Sequence, residues 1–196
     1  MSSLSKALVV GLGGVTNGGK TTMCRSLEQL FSSEQYKLNI KSLHLDDYYR
    51  SDDDPRHRYL DKFNQPDWDC LDAIDIDRFL ADFDRLRFQC DLLFVEGCLI
   101  FNIPMSNKNE HRFSLAYYFD LPFEECRKRR TQRDYGSPDP QDYFETHVWQ
   151  AYVKAKQDAF ERNQLEIVDM TKQSFEQIRN KIIEDILKTN EINLEF

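Results

Sequence analysis

The sequence predicts an α/β fold in which a five-stranded parallel sheet carries helices on both faces. Three observations lead to this prediction. Short apolar segments alternate with segments of helical apolar spacing along the chain. No internal repeat or low-complexity linker interrupts the alternation. At 196 residues and 40% hydrophobic content the chain can bury one full core, so we expect residues 1–196 to form a single domain.

Five segments predict the strands, and five others predict the helices. The strand-like segments are short and apolar and cover residues 7–10, 38–45, 91–96, 115–119 and 165–168. The helix-like segments space their apolar residues three and four apart and cover about residues 23–31, 72–88, 123–132, 142–160 and 175–187. The polar residues 50–69 are long for a loop, so we interpret them as a functional flap. We expect residues 189–196 to be loose.

The composition excludes several classes of protein. A net charge of -8 provides no broad basic field, so we expect no nucleic-acid partner. The five cysteines form no C-x-x-C pair, which indicates free thiols in a reducing compartment rather than disulfides or a zinc site. The N-terminus leads straight into the first predicted strand, and no apolar segment approaches the length of a membrane span. We therefore expect a cytoplasmic protein that has no membrane partner. We also expect a monomer.

One glycine-rich segment, residues 14–21, fits the phosphate-binding pattern G-x-x-x-x-G-K-S/T at every fixed position. A predicted strand precedes it and a predicted helix follows it, as the pattern requires. The glycines let backbone N–H groups converge on phosphate oxygens at the positive end of the helix. Lys20 can then reach the β- and γ-phosphates, and the Thr21 hydroxyl can ligate magnesium. A glycine-rich loop with a chance lysine is the alternative.

Acidic residues end two of the predicted strands. Asp46 and Asp47 follow the second strand directly, and Glu96 ends the third. Ligands bind beyond the carboxyl ends of parallel strands, so we expect these acids and the phosphate loop at one rim. Asp46 is the candidate proton acceptor for phosphoryl transfer to an alcohol, and Glu96 is a candidate magnesium-directed acid. The alternatives are a solvated turn for the aspartates and a structural carboxylate for Glu96.

A basic cluster predicts a lid that clamps phosphate. Its five cations are Arg127, Lys128, Arg129, Arg130 and Arg133. Because Arg129 and Arg133 are four residues apart, we expect them to share a helix face, where a bound anion would offset their repulsion. Arginine forks also suit phosphate oxygens. The alternative is a solvated face on which Glu124 and Glu125 pair with Lys128 and Arg129, which explains only two of the cations.

In the two segments expected to flank the acceptor, aromatic residues lie next to acidic ones. These residues are Tyr48, Tyr49, Trp68 and Asp69. This combination suits a flat ring carrying positive charge, because a cation over an aromatic face gains about 0.5–2 kcal/mol. Trp68 is alternatively a core anchor for its loop. The four histidines, His44, His57, His111 and His147, show no metal spacing, and we interpret them as structural or surface residues.

These motifs together resemble the nicotinamide riboside kinases, within the uridine-kinase-like group of P-loop kinases. The resemblance extends over residues 10–187 and is carried by residues 14–22, 45–49, 67–69, 95–102, 125–130, 143–144 and 147–149. It implies a P-loop kinase fold with a small arginine-rich lid at about residues 127–142. It also implies ATP-dependent phosphorylation of the 5′-hydroxyl of nicotinamide riboside, in NAD biosynthesis. Nicotinic acid riboside is a further candidate acceptor.

The resemblance also implies a role for each matching residue. The implied ATP-binding residues are Gly14, Val15, Thr16, Asn17, Gly18, Gly19, Lys20, Thr21, Thr22, Arg129, Arg133, Asp134, Tyr135, Lys172, Gln173 and Ser174. The implied riboside-binding residues are Asp46, Asp47, Tyr48, Tyr49, Trp68, Asp69 and Arg130. The predicted catalytic residues are Asp46 and Lys20, and the predicted magnesium ligands are Thr21, Asp46 and Glu96. Gly18 departs from the serine usual in the family, and Asp134 places a negative charge where a neutral residue is commoner.

Three other functions stay open. A uridine or cytidine kinase would share the fold, although the acidic and aromatic acceptor pocket suits a pyridinium better than a neutral pyrimidine. A GTPase-like switch requires Asn-Lys-x-Asp after a strand, and the nearest segment, residues 107–110, has the wrong last residue and precedes a strand. The third is a non-catalytic nucleotide-binding module, although no expected reactive residue is missing.

Overall fold

The computed structural model describes residues 6–104, 112–133 and 138–189. Several predicted features lie outside these ranges: His111, Asp134, Tyr135, the segment 107–110 and the tail from residue 190. Within the described ranges, no helix combines the length and apolar character needed to cross a membrane.

A parallel sheet confirms the predicted α/β fold. The described strands are β1 (Leu8–Gly14), β2 (Ile40–His44), β3 (Tyr59–Leu60), β4 (Gln65–Pro66), β5 (Leu92–Gly97), β6 (Leu115–Asp120) and β7 (Glu166–Asp169). Five of them form one sheet in the order β2-β5-β1-β6-β7, and every neighbouring pair is parallel. Because β1 is central, the phosphate loop that follows it lies in the middle of the carboxyl-end rim.

Helices cover both faces of this sheet. They are α1 (Lys20–Phe31), α2 (Ile76–Leu86), α3 (Phe123–Thr131), α4 (Trp149–Arg162) and α5 (Phe175–Lys188). Successive side chains of a strand point to opposite faces. Val9 of β1 accordingly belongs to the core that includes α2 and α4, whereas Leu8 and Val10 belong to the core that includes α1 and α5. Burial on both faces explains why the strands are short apolar runs.

The turn from β1 into α1 depends on glycine at both ends. Gly14 has a φ of +117°, and a Cβ atom there would lie 2.2 Å from the backbone oxygen of Phe119 in β6. Gly19 has a φ of +85° and precedes α1, whose first turn has no side-chain cap. The N–H groups at the start of α1 are therefore free of side-chain caps and face the position expected for phosphate.

The predicted flap contains regular structure of its own. β3 and β4 form an antiparallel hairpin in which Tyr59 pairs with Pro66. A 3₁₀ turn, Leu71–Ala73, then leads to α2. The side chain of Asp75 accepts a hydrogen bond from the Arg78 backbone at 3.2 Å, so α2 begins at Ile76 rather than at residue 72.

The helix predicted over residues 142–160 has two parts. A π-helical turn, Phe144–Val148, precedes α4, which continues to Arg162. Such turns are rare and often occur at functional sites. Here the turn lies beside the cavity described next, and the side chains of Tyr143 and His147 reach acidic residues of the flap.

Candidate active site

A cavity of about 910 Å³ lies at the carboxyl ends of the strands. It brings together most of the predicted site residues, which are Gly14, Thr16, Asn17, Gly18, Gly19, Lys20, Thr21, Thr22, Asp46, Tyr49, Trp68, Asp69, Arg129, Arg130 and Arg133. Phosphate-loop residues and the flap tryptophan therefore line one continuous space. A pocket of this size and mixed lining suits a nucleotide together with a small acceptor.

The phosphate loop holds Lys20 in a bent-back position. Its Nζ donates to the Val15 carbonyl oxygen at 2.7 Å and contacts Cys98 Sγ at 3.3 Å. The Val15 side chain is fully buried, so only its backbone serves the loop. Lys20 is itself buried, and its positive charge therefore acts in surroundings that water screens weakly.

Glu96 ends β5 as a buried carboxylate with two partners on one oxygen. The Thr21 hydroxyl donates to Glu96 Oε1 at 2.9 Å, and His44 Nδ1 lies 2.9 Å from the same oxygen. Burial raises the pKa of Glu96, but the His44 hydrogen bond, the Lys20 charge and the Thr21 hydrogen bond outweigh burial, so the net pKa is lowered. Glu96 is therefore a buried anion placed beside the threonine of the phosphate loop.

Asp46 is the second residue after β2 and lines the cavity. Burial by the surrounding protein raises the pKa of its carboxyl group, and the negative charge of Glu96 adds to the rise. The positive charges of Lys20 and Arg133 act in the opposite direction. A carboxylate with a raised pKa accepts a proton more readily, which suits a general base.

A 3₁₀ turn, Leu45–Tyr48, decides which neighbours of Asp46 reach the cavity. Side chains three apart share a face in such a turn. Leu45 and Tyr48 share the buried face, whereas Asp46 and Tyr49 line the cavity. The structure therefore does not bring the Tyr48 side chain, predicted for the riboside site, to the cavity: its ring packs on Phe79 in the core.

Four further predicted residues also lie away from the cavity. Asp47 is exposed, and its backbone carbonyl accepts a hydrogen bond from Arg78. Lys172 pairs with Asp169 at 3.0 Å, and Ser174 caps α5, so local contacts account for both side chains. The structure does not bring Asp47, Lys172, Gln173 or Ser174 to the cavity lining.

The flap builds one wall of the cavity. The Trp68 ring meets Tyr49 edge-on with ring centroids 5.8 Å apart and His57 at 4.7 Å. Asp69 Oδ2 accepts a hydrogen bond from the Tyr143 hydroxyl at 3.1 Å. Burial raises the pKa of Asp69, while the charge of Arg130 acts to lower it. The rings of Trp68 and Tyr49 and the Asp69 carboxylate thus line the same cavity.

Buried Asp67 anchors the same loop from behind. Its carboxylate pairs with Arg58 at 3.0 Å and with His147 Nε2 at 2.7 Å. The backbone N–H of Asp69 also donates to Asp67 Oδ1 at 3.1 Å. Asp67 therefore ties the flap to the π-helical turn and fixes the backbone on both sides of Trp68.

Arginines of the basic cluster form ion pairs with acidic residues, and several of them also line the cavity. Arg129 donates to Glu125 at 2.8 Å, as the ion-pair alternative expected, and also to the Asn17 carbonyl of the phosphate loop at 3.5 Å. Arg130 pairs with Asp139 at 2.5 Å. α3 ends at Thr131, so the expected shared helix face for Arg129 and Arg133 is wrong, although both line the cavity.

Sequence reasoning missed three residues at this site. His44 binds Glu96, Tyr143 binds Asp69, and Cys98 contacts Lys20. A signal for His44 was its position at the end of β2, where the register of the sheet pairs it with Glu96. That signal requires knowing that β2 and β5 are neighbours, which their order in the chain does not reveal.

Known proteins resemble this chain in sequence and in fold. The family description "AAA domain" matches residues 10–150. Nicotinamide riboside kinase 2 of Homo sapiens is 32% identical over 199 residues, covering 91% of this chain and 80% of that protein. Nicotinamide riboside kinase 2 of Mus musculus is 31% identical, and the match covers 91% of this chain and 95% of that protein. The solved thymidylate kinase of Candida albicans is 14% identical, with a TM-score of 0.56 over 97% of this chain and 96% of that one, and shares the fold.

Proposed function

The chain belongs to the nicotinamide riboside kinase family, and we propose that it transfers the γ-phosphoryl group of ATP to the 5′-hydroxyl of nicotinamide riboside. The observation that carries this proposal is the continuity of the cavity, which joins Lys20 and Asp46 to Trp68 and Asp69. The two halves of such a site would hold donor and acceptor together, and positioning supplies much of the acceleration in phosphoryl transfer.

The proposed chemistry assigns each reacting group a place. The acceptor 5′-oxygen attacks the γ-phosphorus, its proton passes to the Asp46 carboxylate, and ADP departs with the electrons of the broken P–O bond. Lys20, Arg129 and Arg133 stabilise the negative charge on the transferring group. Their common position at the cavity wall supports these roles.

Mg²⁺ fits the donor atoms present beside the phosphate loop. The Thr21 hydroxyl, which lines the cavity, donates to the buried Glu96 carboxylate at 2.9 Å, and Asp46 adds a carboxylate at the cavity wall. Hydroxyl and carboxylate oxygens are ligands that Mg²⁺ accepts, usually together with water and substrate phosphates. When bound, Mg²⁺ neutralises charge on the β- and γ-phosphates. We propose Thr21, Asp46 and Glu96 as the residues that hold it.

The acceptor ring is proposed to lie against Trp68. Nicotinamide riboside carries a positive pyridinium, which gains from an aromatic face and from the nearby carboxylate of Asp69. Asp69 would also accept hydrogen bonds from ribose hydroxyls, with Tyr49 and Arg130 along the cavity wall. Nicotinic acid riboside keeps the same cationic ring and is a second proposed acceptor. Uridine and cytidine lack the charge, so this pocket favours them less.

The remaining proposals concern the molecule as a whole. We propose a single domain whose residues 127–142 act as a lid over the phosphates, supported by the contact of Arg129 with the phosphate loop. We also propose a monomer in the cytoplasm. The five cysteines are free thiols, which supports a reducing compartment.

A panel of ribosides tests the proposed function. The full chain is incubated with ATP, Mg²⁺ and either nicotinamide riboside, nicotinic acid riboside, uridine or cytidine, and products are identified by mass. We expect nicotinamide riboside to gain one phosphoryl group and to have the highest kcat/KM. If uridine is phosphorylated and nicotinamide riboside is not, the proposed substrate is overturned and the proposed kinase activity stands. No phosphorylated product with any riboside would overturn the kinase activity itself.

A further inference from the structure

A group of side chains of metal-binding types lies between α1 and β2, outside the cavity lining. Cys24 and Glu28 are four residues apart on α1 and therefore share a helix face. His44 ends the facing strand β2. One ligand atom from each of Cys24, Glu28 and His44 lies within 4.8 Å of the other two. The sequence spacing does not reveal this group, because its three residues come from two different elements.

The surroundings of the group match those of a protein metal site. His44 Nδ1 contacts Glu96 at 2.9 Å, so binding of a metal through Nε2 would keep this contact. Metal-binding histidines commonly bind a carboxylate through their other nitrogen in this way. The Cys24 thiol donates to the Ser42 hydroxyl at 3.7 Å, and that hydroxyl donates to Glu28, so the Ser42 oxygen adjoins two members of the group. Thiolate, imidazole and carboxylate together suit Zn²⁺ and its relatives better than Mg²⁺.

We propose that Cys24, Glu28 and His44 bind one thiophilic divalent cation of the Zn²⁺ class, at a position separate from the Mg²⁺ ligands. Ligand atoms on one tetrahedral zinc ion lie about 3.5 Å apart, so atoms that are as much as 4.8 Å apart need to approach by no more than about 1.3 Å. Glu28 and His44 are only half-buried and can make this adjustment. The fourth position is left to water or the Ser42 hydroxyl.

Binding changes the protonation of Cys24. Burial raises the pKa of this thiol to about 12, so it is protonated at neutral pH without a metal. On binding, the S–H bond breaks, the sulfur–metal bond forms, and the proton leaves to solvent. Without a metal, the thiol should therefore react slowly with alkylating reagents.

The site is linked to the proposed catalytic centre through a shared histidine. A cation on His44 places positive charge one hydrogen bond from Glu96, which in turn accepts from Thr21. Glu96 and Thr21 are proposed Mg²⁺ ligands, so two cations would repel across this short path. Occupancy should therefore raise the Mg²⁺ concentration needed for half-maximal kinase activity, by at least about fivefold. This consequence rests on the proposed function, whereas the site itself does not.

Co²⁺ is the probe for the site, because a thiolate ligand gives Co²⁺ an intense near-ultraviolet charge-transfer band. One equivalent of Co²⁺ is added to the full chain in excess Mg²⁺, which occupies sites built from oxygen ligands. We expect the band in the wild type and in Cys90→Ser, a control that removes another buried thiol. We expect its loss in Cys24→Ser and its marked weakening in Glu28→Gln. Circular dichroism and the melting temperature verify that each variant is folded.

Absence of the band in the wild type overturns the site, as does a full band in folded Cys24→Ser. Another histidine cluster, Asp67, Asp69 and His147, also has ligand atoms within 4.8 Å of one another but contains no thiol, so it cannot produce the band.

The coupling is tested with buffered free Zn²⁺. A Zn²⁺-dependent rise in the Mg²⁺ requirement in the wild type but not in Cys24→Ser supports it. An equal rise in both proteins overturns it and indicates direct competition at the phosphate loop.

Discussion

The hydroxyl of Tyr143 donates a hydrogen bond to Asp69 Oδ2 at 3.1 Å, joining two segments 74 residues apart. Tyr143 directly precedes the π-helical turn, and Asp69 follows the flap tryptophan. Four residues further on, His147 makes a second link to the flap through Asp67 at 2.7 Å. The rings of Tyr143 and His147 stack with centroids 5.5 Å apart. The orientation of the proposed ribose-binding carboxylate thus depends on a distant element.

Replacing Tyr143 with phenylalanine should weaken acceptor binding more than ATP binding. The change removes one hydrogen bond to a charged group, worth about 1.5–3 kcal/mol, so KM for the riboside should rise by about tenfold or more. KM for ATP should stay near its wild-type value. Steady-state kinetics with each substrate varied in turn measures both. Tyr59→Phe, which removes an exposed hydroxyl bonded to Asn64, is the matched control. Equal effects on the two KM values would remove Tyr143 from this positioning role.

Replacing Asp46 with asparagine should abolish most turnover. The amide cannot accept the hydroxyl proton, and loss of a general base typically costs about 10²–10⁴-fold in rate. Asp47→Asn is the matched control, because Asp47 is exposed and lies outside the cavity lining. Turnover is measured by ADP release, and ATP binding by calorimetry without Mg²⁺. Near-normal turnover in Asp46→Asn would exclude Asp46 as the proton acceptor.

The acid sensitivity of the fold should depend in part on Asp185. Burial acts to raise its pKa, but hydrogen bonds from Lys181 and Tyr117 outweigh burial, and the net pKa is lowered. Such a carboxylate stabilises the fold above its unfolded pKa of about 3.9, and this contribution is lost as pH falls through the folded pKa. Asp185→Asn should therefore be less stable by about 1 kcal/mol at pH 7, with the difference shrinking below about pH 4.

Urea unfolding of both proteins across this pH range measures the difference. Glu184→Gln is the control, because Glu184 is largely exposed and makes only a surface pair with Lys188 at 3.3 Å. A difference between wild type and Asp185→Asn that stays constant from pH 7 to pH 3 would contradict the assignment, since it would mean that ionisation of Asp185 does not contribute.

The positions of the strands and of the rim could be predicted from the sequence because their signals are local. Strands buried on both faces are short apolar runs, and Lys20, Asp46 and Glu96 follow from where those runs end. Contacts between elements could not be predicted in the same way. The contact of His44 with Glu96 depends on β2 lying beside β5, and the contact of Tyr143 with Asp69 depends on how the flap folds back.

Local geometry also limited the prediction of the acceptor pocket. Tyr48 and Tyr49 are equivalent as residue types beside acids, but the 3₁₀ turn places them on different faces. The three-residue period of the turn places Leu45 and Tyr48 in the core and Asp46 and Tyr49 at the cavity. A four-residue turn is too short to show that period in composition or hydropathy, so the sequence does not distinguish among the residues from Asp46 to Tyr49.

Replacing Trp68 with leucine should reveal whether the acceptor ring is recognised by its charge. Leucine keeps an apolar surface but loses the aromatic face, so the loss should be specific to a cation, at about 0.5–2 kcal/mol or roughly 2–30-fold in kcat/KM. The reduced form of nicotinamide riboside has the same size and a neutral ring, and it should be affected less. The ratio of kcat/KM for the two ribosides, compared between wild type and variant, measures this directly. Phe63→Leu is the control, because Phe63 packs on Tyr143 and does not line the cavity. An unchanged ratio in Trp68→Leu would mean that Trp68 anchors the flap, and that the carboxylates alone select the positive ring.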